Sequence, residues 1–249
     1  MLVLLPPSEG KTRPRRGRPL DLDRLSFPEL TPTRHTALDA LTAVSATPQA
    51  VEHLKVGASL ADEVAANVDL KSAPTATAAQ VYSGVLYSAL DLPGLDTAAR
   101  RRANRWLVTI SALYGAVRPT DRIAAYRLSM GVSLPGVGPM ASLWRPVLDP
   151  VLTAAAGRGP IVDCRSSTYV AAWTPHGAAA HAWITVTVPG ATHMAKHTRG
   201  LVARHLCEHG STPRTPKAVA AALADGPFDV DLTEPARAGR PWTLSVTAR

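Results

Sequence analysis

Several things are scarce in this chain, and each scarcity excludes something. There are only two cysteines in 249 residues, Cys164 and Cys207, far apart and without a Cys-x-x-Cys pair. That usage points to reduced thiols in a cytoplasmic protein rather than to a disulfide framework. Long apolar runs are missing as well: the N-terminal one ends at Leu5, too short for a signal sequence core or a membrane span, so a soluble protein is expected. Aromatic residues make up 5% of the chain and charged residues 18%, yet 46% is apolar, which is globular and not disordered composition. No internal repeat occurs, and no linker is long enough to force a domain boundary. Acidic residues are the last shortage. With 19 of them against 27 Lys and Arg, the formal charge is +8 and the isoelectric point near 10. Proteins of this kind attract polyanions: nucleic acid, anionic lipid or phosphorylated metabolites.

Periodicity supplies the elements. Leu2–Leu5, Trp106–Ile110, Ile161–Cys164, Ala182–Val188 and Trp242–Val246 read as strands, from their β-branched or alternating apolar content. Thr33–Val44, Pro48–Asn67, Ala78–Leu90, residues 96–105, Ser142–Ala156, Ala195–His209 and Thr215–Ala224 have helical spacing. Helices and strands alternate irregularly, which predicts an α/β or mixed α+β fold in one compact domain.

Three polar clusters each follow a predicted strand. The first, Ser8-Glu9-Gly10-Lys11-Thr12, invites comparison with a phosphate-binding P-loop. The comparison fails, because the first glycine of that motif would fall on Leu5, and Pro6 and Pro7 remove amide donors. What remains is a strand delivering Ser8, Gly10 and Lys11 to its carboxyl end, with Thr12 beside them as a further candidate anion-binding residue, followed by a basic, Pro-rich loop over residues 11–19. The second cluster runs from Ser111 through Tyr114, Arg118 and Asp121 to Tyr126 and Arg127, and the third is Asp163-Cys164-Arg165-Ser166-Ser167-Thr168-Tyr169. In an open α/β sheet, ligands gather beyond the carboxyl ends of strands. Convergence of Lys11, Arg118, Arg127 and Ser166–Tyr169 would build an anion site, with Ser166-Ser167-Thr168 as a helix N-terminus. His193 and His197, like His205 and His209, have i, i+4 spacing, but no third ligand is evident, so no metal site and no cofactor is assigned.

The same segments, in order, resemble the YaaA family of peroxide-stress proteins. The residues that carry the resemblance are Leu-Pro-Pro-Ser-Glu-Gly-Lys-Thr (5–12), Val-Tyr-Ser-Gly (81–84), Ile-Ser-Ala-Leu-Tyr-Gly-Ala-Val-Arg-Pro-Thr-Asp (110–121) and Tyr-Arg-Leu-Ser-Met-Gly (126–131). Leu-Trp (143–144), Asp-Cys-Arg-Ser-Ser-Thr-Tyr (163–169) and Ala-Lys-His-Thr-Arg-Gly (195–200) complete the set. The likeness spans essentially the whole chain. It implies a single α/β domain over residues 1–249 with a helix-hairpin-helix-like element and a basic cleft. It also implies DNA binding and a role in limiting oxidative damage by helping keep free intracellular iron low. Ser129 stands where the family has an acidic residue, and Asp163, Arg165 and Ser167 also depart from its pattern.

Three functions compete. The first is largely sequence-independent DNA binding, with phosphate contacts from Lys11, Arg118, Arg127, Lys196 and Arg199 and with Tyr82, Tyr114 or Tyr126 as stacking platforms. The second is an enzyme acting on a phosphorylated or nucleotide-like small molecule, with Ser8, Lys11, Arg118 and Lys196 positioning the anion. The third is an iron-binding stress protein using His193 and His197.

Overall fold

The computed structural model of the chain describes residues 1–190 and 192–249, with the side chains of Thr192 and His193 excepted. Seven strands share one sheet: β1 (Leu2–Leu5), β2 (Leu107–Ser111), β3 (Gly115–Val117), β4 (Ile161–Asp163), β5 (Trp183–Thr187), β6 (Phe228–Thr233) and β7 (Trp242–Ala248). Their order across the sheet is β6-β7-β5-β4-β1-β2-β3. Neighbours from β7 to β2 are parallel, and the two edge pairs, β2–β3 and β6–β7, are antiparallel.

The sequence of β1 explains its central place. All four of its residues are apolar, and side chains along a strand alternate between faces, so both faces must be covered. Leu2 and Leu4 join one apolar cluster, which also takes α1 (Thr31–Ser45) through Leu38 and Leu41. Val3 and Leu5 join the opposite cluster. There they meet α2 (Val85–Leu90) and α3 (Thr97–Trp106) through Leu86, Leu90, Ala99 and Ala103. The first cluster also holds α4 (Met140–Ala156), through Trp144, Leu148 and Leu152. The second holds α5 (Thr192–Glu208) and α6 (Pro216–Ala224), through Val202, Leu206, Val219 and Leu223. The result is a mixed α/β fold of three layers. Side-chain caps mark two of the helix starts: Asp96 accepts from the Ala99 amide, and Thr215 accepts from the Ala218 amide ahead of Pro216.

Two expected helices are broken. Pro48–Asn67 becomes short turns, Ala50–His53, Ala58–Leu60 and Ala61–Ala65, because Lys55 takes a left-handed φ of 53° and the chain then extends at Gly57. Ala78–Leu90 is interrupted after Val81, where Gly84 adopts φ 87° and α2 starts afresh at Val85. The helix expected at 195 begins at Thr192, and Trp106 closes α3 rather than opening β2. Two strands of the seven-stranded sheet were not anticipated, Gly115–Val117 and Phe228–Thr233, nor were the two-residue strands of two small antiparallel pairs. The Phe228–Thr233 strand was legible: Phe228, Val230 and Leu232 alternate with Asp229, Asp231 and Thr233. Among the described residues, no helix is long and apolar enough to cross a membrane.

Candidate functional site

From β1 the chain crosses to β2 on one side, and it later returns to lay down β4 on the other. In an open α/β sheet, that reversal opens a crevice beyond the carboxyl ends of the strands it separates. A cavity of about 180 Å³ lies there. Pro6 to Glu9 line it from the end of β1, Ser166 and Tyr169 from beyond β4, Ser83 and Val85–Tyr87 from the start of α2, and Lys196 and Arg199 from α5.

The Ser8–Thr12 and Val81–Gly84 segments shape one wall by binding each other. The Thr12 amide donates to the Val81 carbonyl (2.9 Å), and the Ser83 amide donates to Ser8 Oγ (3.0 Å). Ser83 Oγ donates to the Gly10 carbonyl (3.2 Å), and Lys11 and Tyr82 form an antiparallel bridge. These contacts draw Tyr82 and Ser83 out of helical geometry, which is why the expected helix breaks there. Below them, the Tyr87 hydroxyl donates to the Pro6 carbonyl (2.8 Å) and lies 3.1 Å from Thr109 Oγ1. On the other strand, Asp163 and Arg165 form a fully buried ion pair (2.7 Å). Asp163 also accepts from Trp183 Nε1 (3.1 Å), and Arg165 donates to the Tyr169 carbonyl (3.2 Å). This buried pair organises the turn that presents Ser166 and Tyr169.

Ser8, Ser166, Lys196 and Arg199 are therefore brought together, as the convergence of strand ends requires. Lys11 lies outside the cavity lining. Its ammonium donates to the carbonyls of Ser8 (2.7 Å) and Glu9 (3.2 Å) and sits 4.3 Å from the Tyr126 ring centroid. Burial, and then the Arg127 guanidinium, pushes the Lys11 ammonium down to about 7. Arg127 donates to the Glu9 carbonyl (3.2 Å) and pairs with Glu63 (3.5 Å), so it shares this second cluster.

Arg118 does not join either group. β3 runs antiparallel to β2, which carries Arg118 back toward the opposite end of the sheet. There its guanidinium binds the Asn104 and Arg105 carbonyls and covers the Phe27 ring. The tyrosines expected as stacking platforms are core residues instead: Tyr82, Tyr114 and Tyr126 are 3%, 0% and 4% exposed, and no ring face is open to a base. Their hydroxyls are tied inward. Tyr126 meets Ser111 Oγ (2.7 Å) and Tyr114 donates to the Ala124 carbonyl (3.0 Å).

Ser167 is exposed, and the helix expected to follow Ser166 is a single turn, Ser167–Val170. Thr12 is exposed with its amide already bonded. The His193 side chain lies outside the described residues, and His197 Nδ1 is buried without a partner among them. Among the described residues, no group of three or more His, Cys, Asp or Glu is placed to hold a metal.

Sequence reasoning missed Glu9, Ser83, Tyr87 and the apolar residues of α2 as cavity residues. The signal available was the Val-Tyr-Ser-Gly segment, whose serine and glycine interrupt an otherwise helical pattern.

A family model described as "Peroxide stress protein YaaA" matches residues 1–227. A UPF0246 protein of Streptomyces coelicolor is 46% identical over 254 aligned positions, covering 99% of this chain and 98% of the relative. A UPF0246 protein of Corynebacterium efficiens is 38% identical, with 99% of each chain covered. One from Corynebacterium glutamicum is 37% identical over 83% of this chain and 84% of its own length. The motifs that build the cavity walls lie inside the matched region, and the chain belongs to the YaaA family of peroxide-stress proteins.

Proposed function

We propose that this protein serves the peroxide-stress role of its family by binding DNA through the phosphate backbone, so limiting oxidative damage, and that it helps keep free iron low. The observation that carries the reading is the placement of exposed cations. Arg13, Arg15, Arg16 and Arg18 are exposed on the loop that leaves the end of β1, and Lys196 is exposed on α5, on a chain of net charge +8. Phosphate neutralisation by such side chains supplies sequence-independent affinity. In this reading the carboxyl edge of the sheet is the basic cleft, and the helix-hairpin-helix-like element implied by the family resemblance adds to the DNA contact. Binding of a duplex oligonucleotide, titrated against salt for the wild type and an Arg15→Ala/Arg16→Ala variant, tests it. The log–log slope should be steep and should fall in magnitude by about one for each phosphate contact removed. Affinity that is flat between low and moderate salt would reject the reading.

A second reading, an enzyme acting on a phosphorylated or nucleotide-like small molecule, is favoured by the cavity at the β1–β4 reversal. Non-specific DNA binding demands no such enclosure. A thermal-shift screen with nucleotides and small phosphates tests it, since a ligand that binds the native state raises the melting temperature.

A further inference from the structure

We infer that the β1–β4 cavity binds a small organic anion, one phosphate or carboxylate group on a short apolar body, and that it is too small for a nucleotide. The inference rests on the second reading above and narrows its ligand.

Size comes first. The cavity measures about 180 Å³. Pockets that bury most of a drug-sized ligand run from about 300 Å³ upward, so this one can enclose an anionic group and a short chain but not a base, ribose and phosphate together.

Donors dominate the polar part of the lining. Ser8 Oγ accepts from the Ser83 amide, which leaves its own hydrogen to donate to a ligand oxygen. Ser166 adds an exposed hydroxyl. Lys196 and Arg199 stand three residues apart on α5 and so share a face. Arg199 is held in place by its Nε and Nη2 bonds to the Val186 carbonyl (3.3 and 3.2 Å), so its charge is pre-positioned rather than recruited. A rigid contact keeps α5 at this spacing: a Cβ on Gly200 would lie 2.2 Å from the Leu86 carbonyl oxygen, so α5 and α2 touch backbone to backbone. Two cations and two hydroxyl donors fit one anionic group. The exposed Glu9 carboxylate on the same lining disfavours a second.

Beside Ser83 and Tyr169, the remainder of the wall is apolar: Pro6, Pro7, Val85, Leu86 and the Tyr87 ring. That surface has nothing to offer inorganic phosphate, and it rewards an alkyl group.

Calorimetric titration of the full chain with butyl phosphate, butyrate, inorganic phosphate and AMP tests the inference. Butyl phosphate or butyrate should bind more tightly than inorganic phosphate, and AMP no more tightly than inorganic phosphate. Lys196→Met, on an exposed side chain, should weaken the organic anion by about tenfold or more, as expected for loss of a charged contact. Val85→Phe should remove the advantage of the alkyl group while DNA affinity stays within about twofold, an effect below ~0.5 kcal/mol. Tighter binding of AMP than of butyl phosphate would overturn the size argument and leave the enzyme reading standing. No binding by any of the four would overturn both. Wild-type affinity in Lys196→Met would overturn the assignment of the anion to α5.

Discussion

The Ser83 amide donates to Ser8 Oγ at 3.0 Å across 75 residues of sequence, and this bond joins the end of β1 to the start of α2. Both segments line the cavity, so the bond sets one dimension of it. Ser8→Ala removes the acceptor and leaves a half-buried amide unmatched. We expect a loss of about 0.5–1.5 kcal/mol in urea unfolding, the net range for a hydrogen bond whose donor water can partly reach. Ser8→Thr, which keeps the hydroxyl, should recover most of it.

Lys11 yields a pH prediction. Its folded value is lowered from 10.5 to about 7, so between those limits the unfolded chain binds more protons than the native one at this site. The corresponding contribution makes stability rise with pH across that window; the penalty is fully present below about 7 and gone above 10.5. In Lys11→Met this rise is absent. Urea unfolding of both proteins at neutral pH and near the top of the window should show the wild type gaining on the variant. Parallel pH profiles would mean that the ammonium is solvated in the native state.

The thiols should be silent. Burial pushes both Cys164 and Cys207 up to about 12, so essentially no thiolate exists at neutral pH. We expect native protein treated with hydrogen peroxide or a thiol-specific disulfide reagent to stay unmodified at both positions, and urea to expose them. Stoichiometric sulfenic acid at either cysteine of the folded protein would show instead that a thiol is open to peroxide.

Asp163→Ala strips the buried Arg165 guanidinium of its carboxylate partner while also removing the acceptor for Trp183. Breaking a buried pair on one side costs about 3–5 kcal/mol, so this variant should be among the least stable single substitutions at the carboxyl ends of the strands. Chemical denaturation measures it directly. A loss of less than about 1 kcal/mol would indicate that water reaches Arg165 once the carboxylate is gone.

Gly200→Ala tests the contact between α5 and α2. The added methyl meets the Leu86 carbonyl oxygen at 2.2 Å, and Ala89 Cβ at 2.8 Å, so the helices must part. Overpacking of this kind costs about 1–3 kcal/mol. Because Lys196 and Arg199 ride on the same helix, the variant should also weaken binding of the organic anion, readable by the calorimetric titration. Unchanged stability would mean that α5 slides freely over α2.

Much of this molecule was determined by local sequence. Four consecutive apolar residues make β1 a strand buried on both faces; Asp96 and Thr215 start helices by capping; and the excess of eight positive charges makes anions the natural partners. The ordered motifs were enough to indicate the family. Tertiary structure decided which strand ends meet. Parallel pairing sets β4 beside β1 and so joins Ser8 to Ser166, and the reversal into β3 sends Arg118 to the far end of the sheet. It also decided that Tyr82, Tyr114 and Tyr126 face inward, and that Ser8 reaches Ser83 instead of solvent. The physical reason is range. Propensity and capping act within a few residues, whereas strand order, burial and convergence depend on contacts between segments far apart in the chain, whose free energy no single window contains.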